Sequence, residues 1–194
     1  MNHYYLLNSI VPQNLGFDKL ENFLSDKLQS SFVLLEGEFE PETIITAEML
    51  AESDTASSIS NLKTVDLRAN SYNRVFLGYL SKVFKDTPTA NEIREQMNTE
   101  NFHTYIQVIY DDSSSRKKIN FADIRPLVDY VVSVENYAND LKAIPELANE
   151  DTASALSNME FLYNNMYREY YNDATKAIIA SVFAKDIAEY GYTF

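Results

Sequence analysis

The sequence predicts a mainly α-helical chain: an irregular bundle of several helices with one small β element. It contains 4 glycines in 194 residues, and none between residues 79 and 190. Because glycine serves tight turns and close backbone approach to phosphates, this stretch favours long helices over hairpins or nucleotide-binding loops. Apolar residues also recur at spacings of three and four over much of the chain, which indicates amphipathic helices. The 45% hydrophobic content is enough for a sizeable core.

The first 40 residues hold the N-terminal candidate for the β element. The apolar runs at 4–7 and 32–35 fit short strands, and the apolar residues between them have helical spacing. A β-α-β unit is one interpretation, and two helices are the alternative, since periodicity cannot decide such short runs.

The chain is predicted to form a single domain over residues 1–194. The one internal boundary candidate is the small, polar stretch 54–60, which reads as a loop. It would join an N-terminal subregion, residues 1–53, to a helical body, residues 61–194. Within the subregion, Pro41 fits the first position of a further helix.

A helix is predicted from Leu62 to Val83, because apolar residues line one face throughout this segment. Thr89 and Glu92 then form a capping-box pattern that opens the next helix. The segment 102–121 is ambiguous, since helical spacing competes with a density of strand-forming residues. Its alternative to a helix is a hairpin closed by the polar loop 111–118.

Two further helices are predicted in the C-terminal half. One begins at Asp123, carries an apolar face to Leu141 and is stopped by Pro145. The last is capped by Asp151 or Thr152, runs through Met159 to about Tyr190, and has a bend or break near residues 172–173. Gly191 follows it, where a helix end favours a left-handed residue.

Composition excludes several kinds of chemistry. The chain has no cysteine, which removes disulfides, thiolate metal sites and cysteine nucleophiles. Glu100 and His103 spell one Glu-x-x-His motif, whereas a di-iron bundle needs two such motifs. The sequence has no Gly-x-Ser-x-Gly elbow and no glycine-rich phosphate loop. We therefore expect no catalytic residue, no metal and no cofactor.

The net charge of −13 argues against direct nucleic-acid binding, which needs a basic face. The densest acidic cluster comprises Glu36, Glu38, Glu40 and Glu42, and a solvated acidic loop is its plainest interpretation. No apolar run is long enough for a bilayer, and the N-terminus does not resemble a signal peptide. We expect no membrane contact and a cytoplasmic location, which for a phage-encoded chain means the host cytoplasm or the virion.

Aromatic residues near the C-terminus are the most suggestive functional feature. A stripe of tyrosines at helical spacing precedes an aromatic end of the sequence, and core packing and a protein interface are the two interpretations. The predicted interface residues are Tyr163, Tyr167, Tyr170, Tyr171, Tyr190, Tyr192 and Phe194.

The favoured function is a non-enzymatic structural or assembly protein whose partners are other protein subunits, in a homo-oligomer or a hetero-assembly. A connector or ring subunit of a phage or viral particle is one such component. The alternative is an acidic inhibitor or nucleic-acid mimic that binds a basic groove, of the anti-restriction or anti-CRISPR type. A carboxylate-based enzyme is a third hypothesis, and it requires a pocket that holds two or more acids.

Overall fold

A computed structural model describes residues 3–7, 18–28, 32–35, 62–111, 122, 129–155 and 165–194. Helical turns predominate among these residues, so the prediction of a mainly helical chain with a small β element is confirmed. Four described strands form one parallel sheet: β1 (His3–Leu7), β2 (Phe32–Leu35), β3 (Leu62–Arg68) and β4 (Tyr130–Ser133).

The strand order is β2-β1-β3-β4. β1 pairs with β2 in the register Tyr4–Phe32 and with β3 in the register Leu7–Asp66. Helix α1 (Asp18–Leu28) connects β1 to β2, so the predicted N-terminal β-α-β unit is confirmed. Because β1 lies between β2 and β3, the predicted subregion and the helical body contribute to one sheet. The predicted loop 54–60 and the Pro41 helix lie outside the described residues.

The helix predicted from Leu62 to Val83 is wrong in its first third. Residues Leu62–Arg68 form β3, and helix α2 (Ser71–Val83) begins only after Asn70. The charges of Asp66 and Arg68 resembled the solvent face of a helix. Both side chains are instead buried and paired with each other, as described below. A strand buried on both faces shows no simple alternation of polar and apolar residues.

Helices α3 (Ala90–Gln96) and α4 (Thr99–Ile106) follow α2, and a π-helical turn, Gln107–Asp111, extends α4. The Thr89–Glu92 capping box is present, as predicted. The strand alternative for 102–111 is wrong, because these residues are helical. Residues 112–120, which include most of the proposed hairpin loop, lie outside the described part.

The helix predicted from Asp123 to Leu141 is also wrong where the structure describes it. Residues Tyr130–Ser133 form β4, whose run of β-branched residues pairs with β3. Only a single turn, α5 (Tyr137–Asp140), is α-helical before short 3₁₀ turns at Leu141–Ala143 and Pro145–Leu147. Helix α6 (Thr152–Ala155) comes next.

The last predicted helix is broken, as expected near residues 172–173. A 3₁₀ turn, Met166–Glu169, precedes α7 (Asp173–Val182) and α8 (Ala184–Tyr190). Asn172 opens α7 with a capping box. Gly191 ends α8 with a φ of 64°, in the left-handed conformation predicted for it. Met159 and Tyr163 lie outside the described residues.

The core lies between the sheet and the helices that follow β3. Phe76 of α2, Phe102 of α4 and Phe183 at the end of α7 are fully buried within it. Aromatic rings supply much of its area: Phe76 packs edge-to-face on Phe102 at 5.9 Å between ring centroids. This core holds α2 and α7 in place beside the carboxyl end of β3.

Candidate functional site

The carboxyl ends of the parallel strands meet at one edge of the sheet, which we call the carboxyl edge. β3 ends there at Arg68 and β4 ends at Ser133, the partner of Arg68 in the register. Open α/β sheets bind ligands outside this edge, where the strand order reverses direction. In this chain the reversal falls between β1 and β3, so the carboxyl edge is the candidate functional site.

A carboxylate of the chain itself occupies this edge. Glu135 accepts hydrogen bonds from the Asn70 backbone N–H at 2.9 Å and from the Asn73 side-chain amide at 3.0 Å. It also accepts one from the Ser133 hydroxyl at 2.7 Å. An anion is favoured beside the N-terminus of a helix, here α2, because its first N–H groups point outward. Glu135 therefore takes the place that an anionic ligand has in other parallel-sheet proteins.

Four charged side chains form a buried cluster beneath the edge. Arg68 Nε donates to Asp66 Oδ2 at 2.6 Å, and the two side chains are 0% and 3% exposed. Arg74 of α2 lies 3.6 Å from Asp186 of α8, whose side chain is fully buried. Asp186 also accepts a hydrogen bond from the Ala122 backbone at 2.7 Å. This cluster ties α8 to α2 and to the centre of the sheet.

Burial and pairing shift the pKa values of three residues in the cluster. Burial raises the pKa of Asp66 to about 6, although the positive charge of Arg68 opposes the shift. Burial also lowers the pKa of Arg74, with Asp186 opposing it. The pKa of Arg68 is raised, because the charge and hydrogen bond of Asp66 outweigh the effect of burial. Asp66 is therefore a buried carboxyl group whose pKa lies above its usual value.

Next to the cluster, three buried tyrosines form an aromatic cleft: Tyr72, Tyr167 and Tyr171. Tyr72 packs edge-to-face on Tyr171 at 5.7 Å, and Tyr167 does so at 6.4 Å. The Tyr171 hydroxyl donates to the Tyr72 carbonyl at 2.9 Å. Burial raises the pKa of Tyr171 well above its usual value, so this hydroxyl stays protonated.

The final segment, residues 192–194, lies in this cleft. The ring of Phe194 stands edge-on to all three tyrosines, with centroid distances of 5.1 Å to Tyr72, 5.7 Å to Tyr167 and 5.5 Å to Tyr171. The Thr193 carbonyl accepts a hydrogen bond of 3.1 Å from the side-chain amide of Asn70, the residue that caps α2. The final segment is thereby fixed to the carboxyl edge.

Two cations lie over the face of Phe194. Lys176 Nζ is 4.4 Å from the ring centroid, and the guanidinium carbon of Arg168 is 5.8 Å from it. Such cation–π contacts are favourable by about 0.5–1 kcal/mol at exposed positions. They place two basic side chains at the outer side of the cleft, and Lys176 is also paired with Asp173 at 3.2 Å.

The predicted interface residues fall into two groups. Tyr167, Tyr170 and Tyr171 are buried core residues, which matches the core-packing interpretation of the stripe. Tyr190, Tyr192 and Phe194 are half-buried at the carboxyl edge. Tyr163 lies outside the described residues, so the structure does not place it.

The two residues of the Glu-x-x-His motif, Glu100 and His103, lie in different environments. His103 Nε2 donates to the Tyr170 carbonyl at 2.8 Å, while its Nδ1 accepts from the Asn172 amide at 3.1 Å. Glu100 is exposed. His103 therefore fastens α4 to the start of α7. Within the described ranges no group of three metal-ligating side chains comes together.

The buried cluster was missed in the sequence, although a signal existed. Asp66 and Arg68 stand two positions apart among strand-forming residues, a spacing that places both on one face of a strand. Asn70 and Glu135 carry no such signal, because their proximity depends on the pairing of β3 with β4. The described helices are too short or too polar to cross a lipid bilayer.

The fold and the edge define a mainly helical chain with a four-stranded parallel sheet, at whose carboxyl edge residues 192–194 lie. Neither protein-family models nor curated proteins nor solved structures gave a match to this chain.

Proposed function

We propose that this protein works by binding other protein chains, as a structural or assembly component rather than an enzyme. The observation that carries the proposal is a group of half-exposed aromatic rings at the carboxyl edge, those of Tyr190, Tyr192 and Phe194. Exposed Arg168 lies beside them. Together these four residues are the aromatic patch. Tyrosine, phenylalanine and arginine are enriched in the energetically important centres of interfaces.

The rings of the aromatic patch are held in place by contacts with one another and with buried residues. Tyr190 and Tyr192 pack on each other at 5.5 Å, and the Arg68 guanidinium lies 4.8 Å from the Tyr190 ring. Phe194 is held by the aromatic cleft. Because these rings are ordered before any partner arrives, binding costs little further conformational entropy. A rigid aromatic surface of this kind suits recognition of another folded protein.

The simplest partner is a second copy of the same chain. A larger assembly would add further protein subunits. Ring or connector subunits of phage or viral particles are built through such repeated contacts. We propose this as one form of the assembly, with the host cytoplasm or the virion as its location.

Native mass, measured by light scattering behind size exclusion over a wide concentration series, tests the proposal. We expect a defined oligomer with a mass of at least twice 22.2 kDa. Tyr192→Ala should weaken association by about tenfold or more, which corresponds to about 1.4 kcal/mol.

Val108→Ala is the matched control, because Val108 is 63% exposed and does not belong to the aromatic patch. This variant should associate like the unaltered chain. A mass of 22.2 kDa at every concentration, or equal weakening by both substitutions, contradicts the proposal.

A second function is favoured by the distribution of charge. From Glu36 to Leu62 the sequence has seven acidic residues and no basic residue. We propose, as the alternative, that this segment binds the basic groove of a nucleic-acid enzyme in the manner of an acidic inhibitor. The charge rather than the shape of the segment carries this alternative.

Inhibition of DNA cleavage by a panel of restriction and CRISPR nucleases tests the alternative. Glu36, Glu38, Glu40 and Glu42 are changed to glutamine together, and an exposed set of four acids elsewhere, Glu92, Glu95, Glu100 and Glu169, is the control. Inhibition that only the first set abolishes supports the alternative. If neither the unaltered chain nor the control variant inhibits cleavage, the alternative is contradicted.

A further inference from the structure

We propose that the carboxyl edge binds a sugar ring, free or as the ribose of a nucleoside, whose hydroxyl groups donate hydrogen bonds to Asn73 and Glu135. The inference is independent of the proposed function, because it concerns a small ligand rather than a protein partner. Asn73 belongs to the first turn of α2, which begins just after β3, and Glu135 contacts that turn. Open parallel sheets bind their ligands outside the carboxyl ends of such strands.

An unpartnered oxygen of Asn73 carries the proposal. The Asn73 side chain is fully buried, and among the described residues its Oδ1 finds no hydrogen-bond donor. Its Nδ2 donates to Glu135 Oε1 at 3.0 Å, which fixes the orientation of the amide, since a flipped amide would bring two oxygens together. A buried acceptor without a donor is rare and lowers stability. A ligand that donates a hydrogen bond to Oδ1 removes this cost.

Glu135 supplies a second acceptor next to the first. Its half-buried carboxylate accepts hydrogen bonds from the Asn70 backbone, the Asn73 amide and the Ser133 hydroxyl. A carboxylate has about four lone-pair positions, so one is left for a ligand. Because Nδ2 and Oδ1 of Asn73 belong to one amide group, Oδ1 lies within about 5 Å of Glu135 Oε1. Neighbouring hydroxyls of a sugar ring can donate one hydrogen bond to each acceptor.

The charges around the two acceptors favour a neutral donor. The N-terminus of α2 is the positive end of the helix dipole, which opposes a cationic donor such as an ammonium group. The carboxylate of Glu135 opposes an added anion such as a phosphate group. A hydroxyl carries no charge, and carboxylates bind ribose hydroxyls at the carboxyl edge of dinucleotide-binding sheets. The site therefore fits a sugar better than an amine or a phosphate.

An aromatic ring adjoins the acceptors. Burial raises the pKa of the Tyr192 hydroxyl, and the nearby charge of Glu135 adds to this effect, so Tyr192 lies close to Glu135. Tyr192 is half-buried and packs on Tyr190 at 5.5 Å. One face of a sugar ring carries mainly C–H groups and packs on an aromatic ring. The edge thereby combines oxygen acceptors with an aromatic surface.

NMR titrations with D-ribose and, separately, with adenosine test the proposal. Each is added to the isotope-labelled chain, and the side-chain amide signal of Asn73 is followed; its absence in Asn73→Leu identifies it. We expect both compounds to shift this signal, with dissociation constants in the millimolar range. A shift with adenosine alone assigns the site to the ribose of a nucleoside, and a shift with ribose alone assigns it to a free sugar.

Two pairs of variants separate binding from stability. Glu135→Gln should weaken binding by about tenfold or more, because a neutral amide is a poorer acceptor than a carboxylate. Glu95→Gln is its control, since Glu95 is exposed on α3, and it should bind like the unaltered chain. Asn73→Leu should abolish the binding that the backbone signals of α2 report. Val75→Ala, at a fully buried position of the same helix, should bind normally even where it lowers stability.

Three outcomes overturn the inference. The first is an Asn73 signal that neither compound shifts, with ribose raised to about 100 mM. The second is equal binding by Glu135→Gln and the unaltered chain. Inorganic phosphate is the third probe, and a shift by phosphate but by neither ribose nor adenosine means that the edge binds an anion instead.

Discussion

Breaking the buried pair of Asp66 and Arg68 should destabilise the fold far more than replacing it whole. The two side chains are 3% and 0% exposed, and their 2.6 Å hydrogen bond is not screened by solvent. Removing one partner from such a pair costs about 3–5 kcal/mol, because the other is left as a buried charge. We expect a loss of this size for Asp66→Leu, since an arginine cannot release its proton.

The double variant Asp66→Leu/Arg68→Met removes both charges together. Apolar replacement of a buried ion pair is often neutral or stabilising. We therefore expect the free energy of unfolding to fall by about 2 kcal/mol less in the double variant than in Asp66→Leu alone, although the double variant carries one more substitution. Urea unfolding followed by circular dichroism measures both free energies of unfolding. The comparison requires that the slope of the free energy against urea concentration is the same for the variants and the unaltered chain.

The loss of stability caused by the single substitution Arg68→Met should depend on pH. Burial raises the pKa of Asp66 to about 6 in the folded chain, against about 4 when unfolded. Its contribution to stability is therefore fully present below pH 4 and is lost as the pH rises through 6. Without Arg68 the carboxyl takes up a proton even more readily, so the variant should lose less at pH 5 than at pH 7.5. Equal losses at both pH values, or a double variant as unstable as the sum of the singles, refute this reasoning.

Three smaller predictions concern individual residues, each measured by urea unfolding of the purified variant. Phe194→Ala should lower the free energy of unfolding by about 2 kcal/mol, because it removes a half-buried phenylalanine ring and its edge-to-face contacts. A decrease below about 0.5 kcal/mol contradicts the observed docking. Thr89→Ala should cost about 1 kcal/mol through loss of the capping box of α3, whereas the nearby exposed substitution Asn91→Ala should not destabilise. Gly191→Ala should cost about 1 kcal/mol from backbone strain at a φ of 64° alone, because nothing contacts the added methyl group; a neutral result contradicts the left-handed helix end.

Features that depend on local chemistry were predictable from the sequence. The capping box of Thr89 and Glu92, the break before Asp173 and the left-handed Gly191 all depend on residues within one turn of each other. Each of these follows from the conformational preferences of a few neighbouring residues. The β-α-β unit was one of two interpretations of the first 40 residues, and the pairing of β1 with β2 decided between them.

Features that depend on distant partners were not predictable. β3 resembled a helix because a strand covered on both faces loses its alternating pattern, and its buried Asp66 and Arg68 pair with each other. β4 has only four residues, which is too short a run for periodicity to decide. The stripe of Tyr167, Tyr170 and Tyr171 gave no indication of whether it faced the core or the solvent. The contact of Asn70 with Glu135 was not predictable, since it arises only through the pairing of β3 with β4.

The docking of the final segment in the aromatic cleft is the central claim, and isotope-filtered NOE spectroscopy tests it most directly. The phenylalanine and tyrosine rings of one chain carry labels that the experiment distinguishes. We predict contacts from the Phe194 ring to the rings of Tyr72, Tyr167 and Tyr171. A Phe194 ring without contact to any of the three tyrosines contradicts the account.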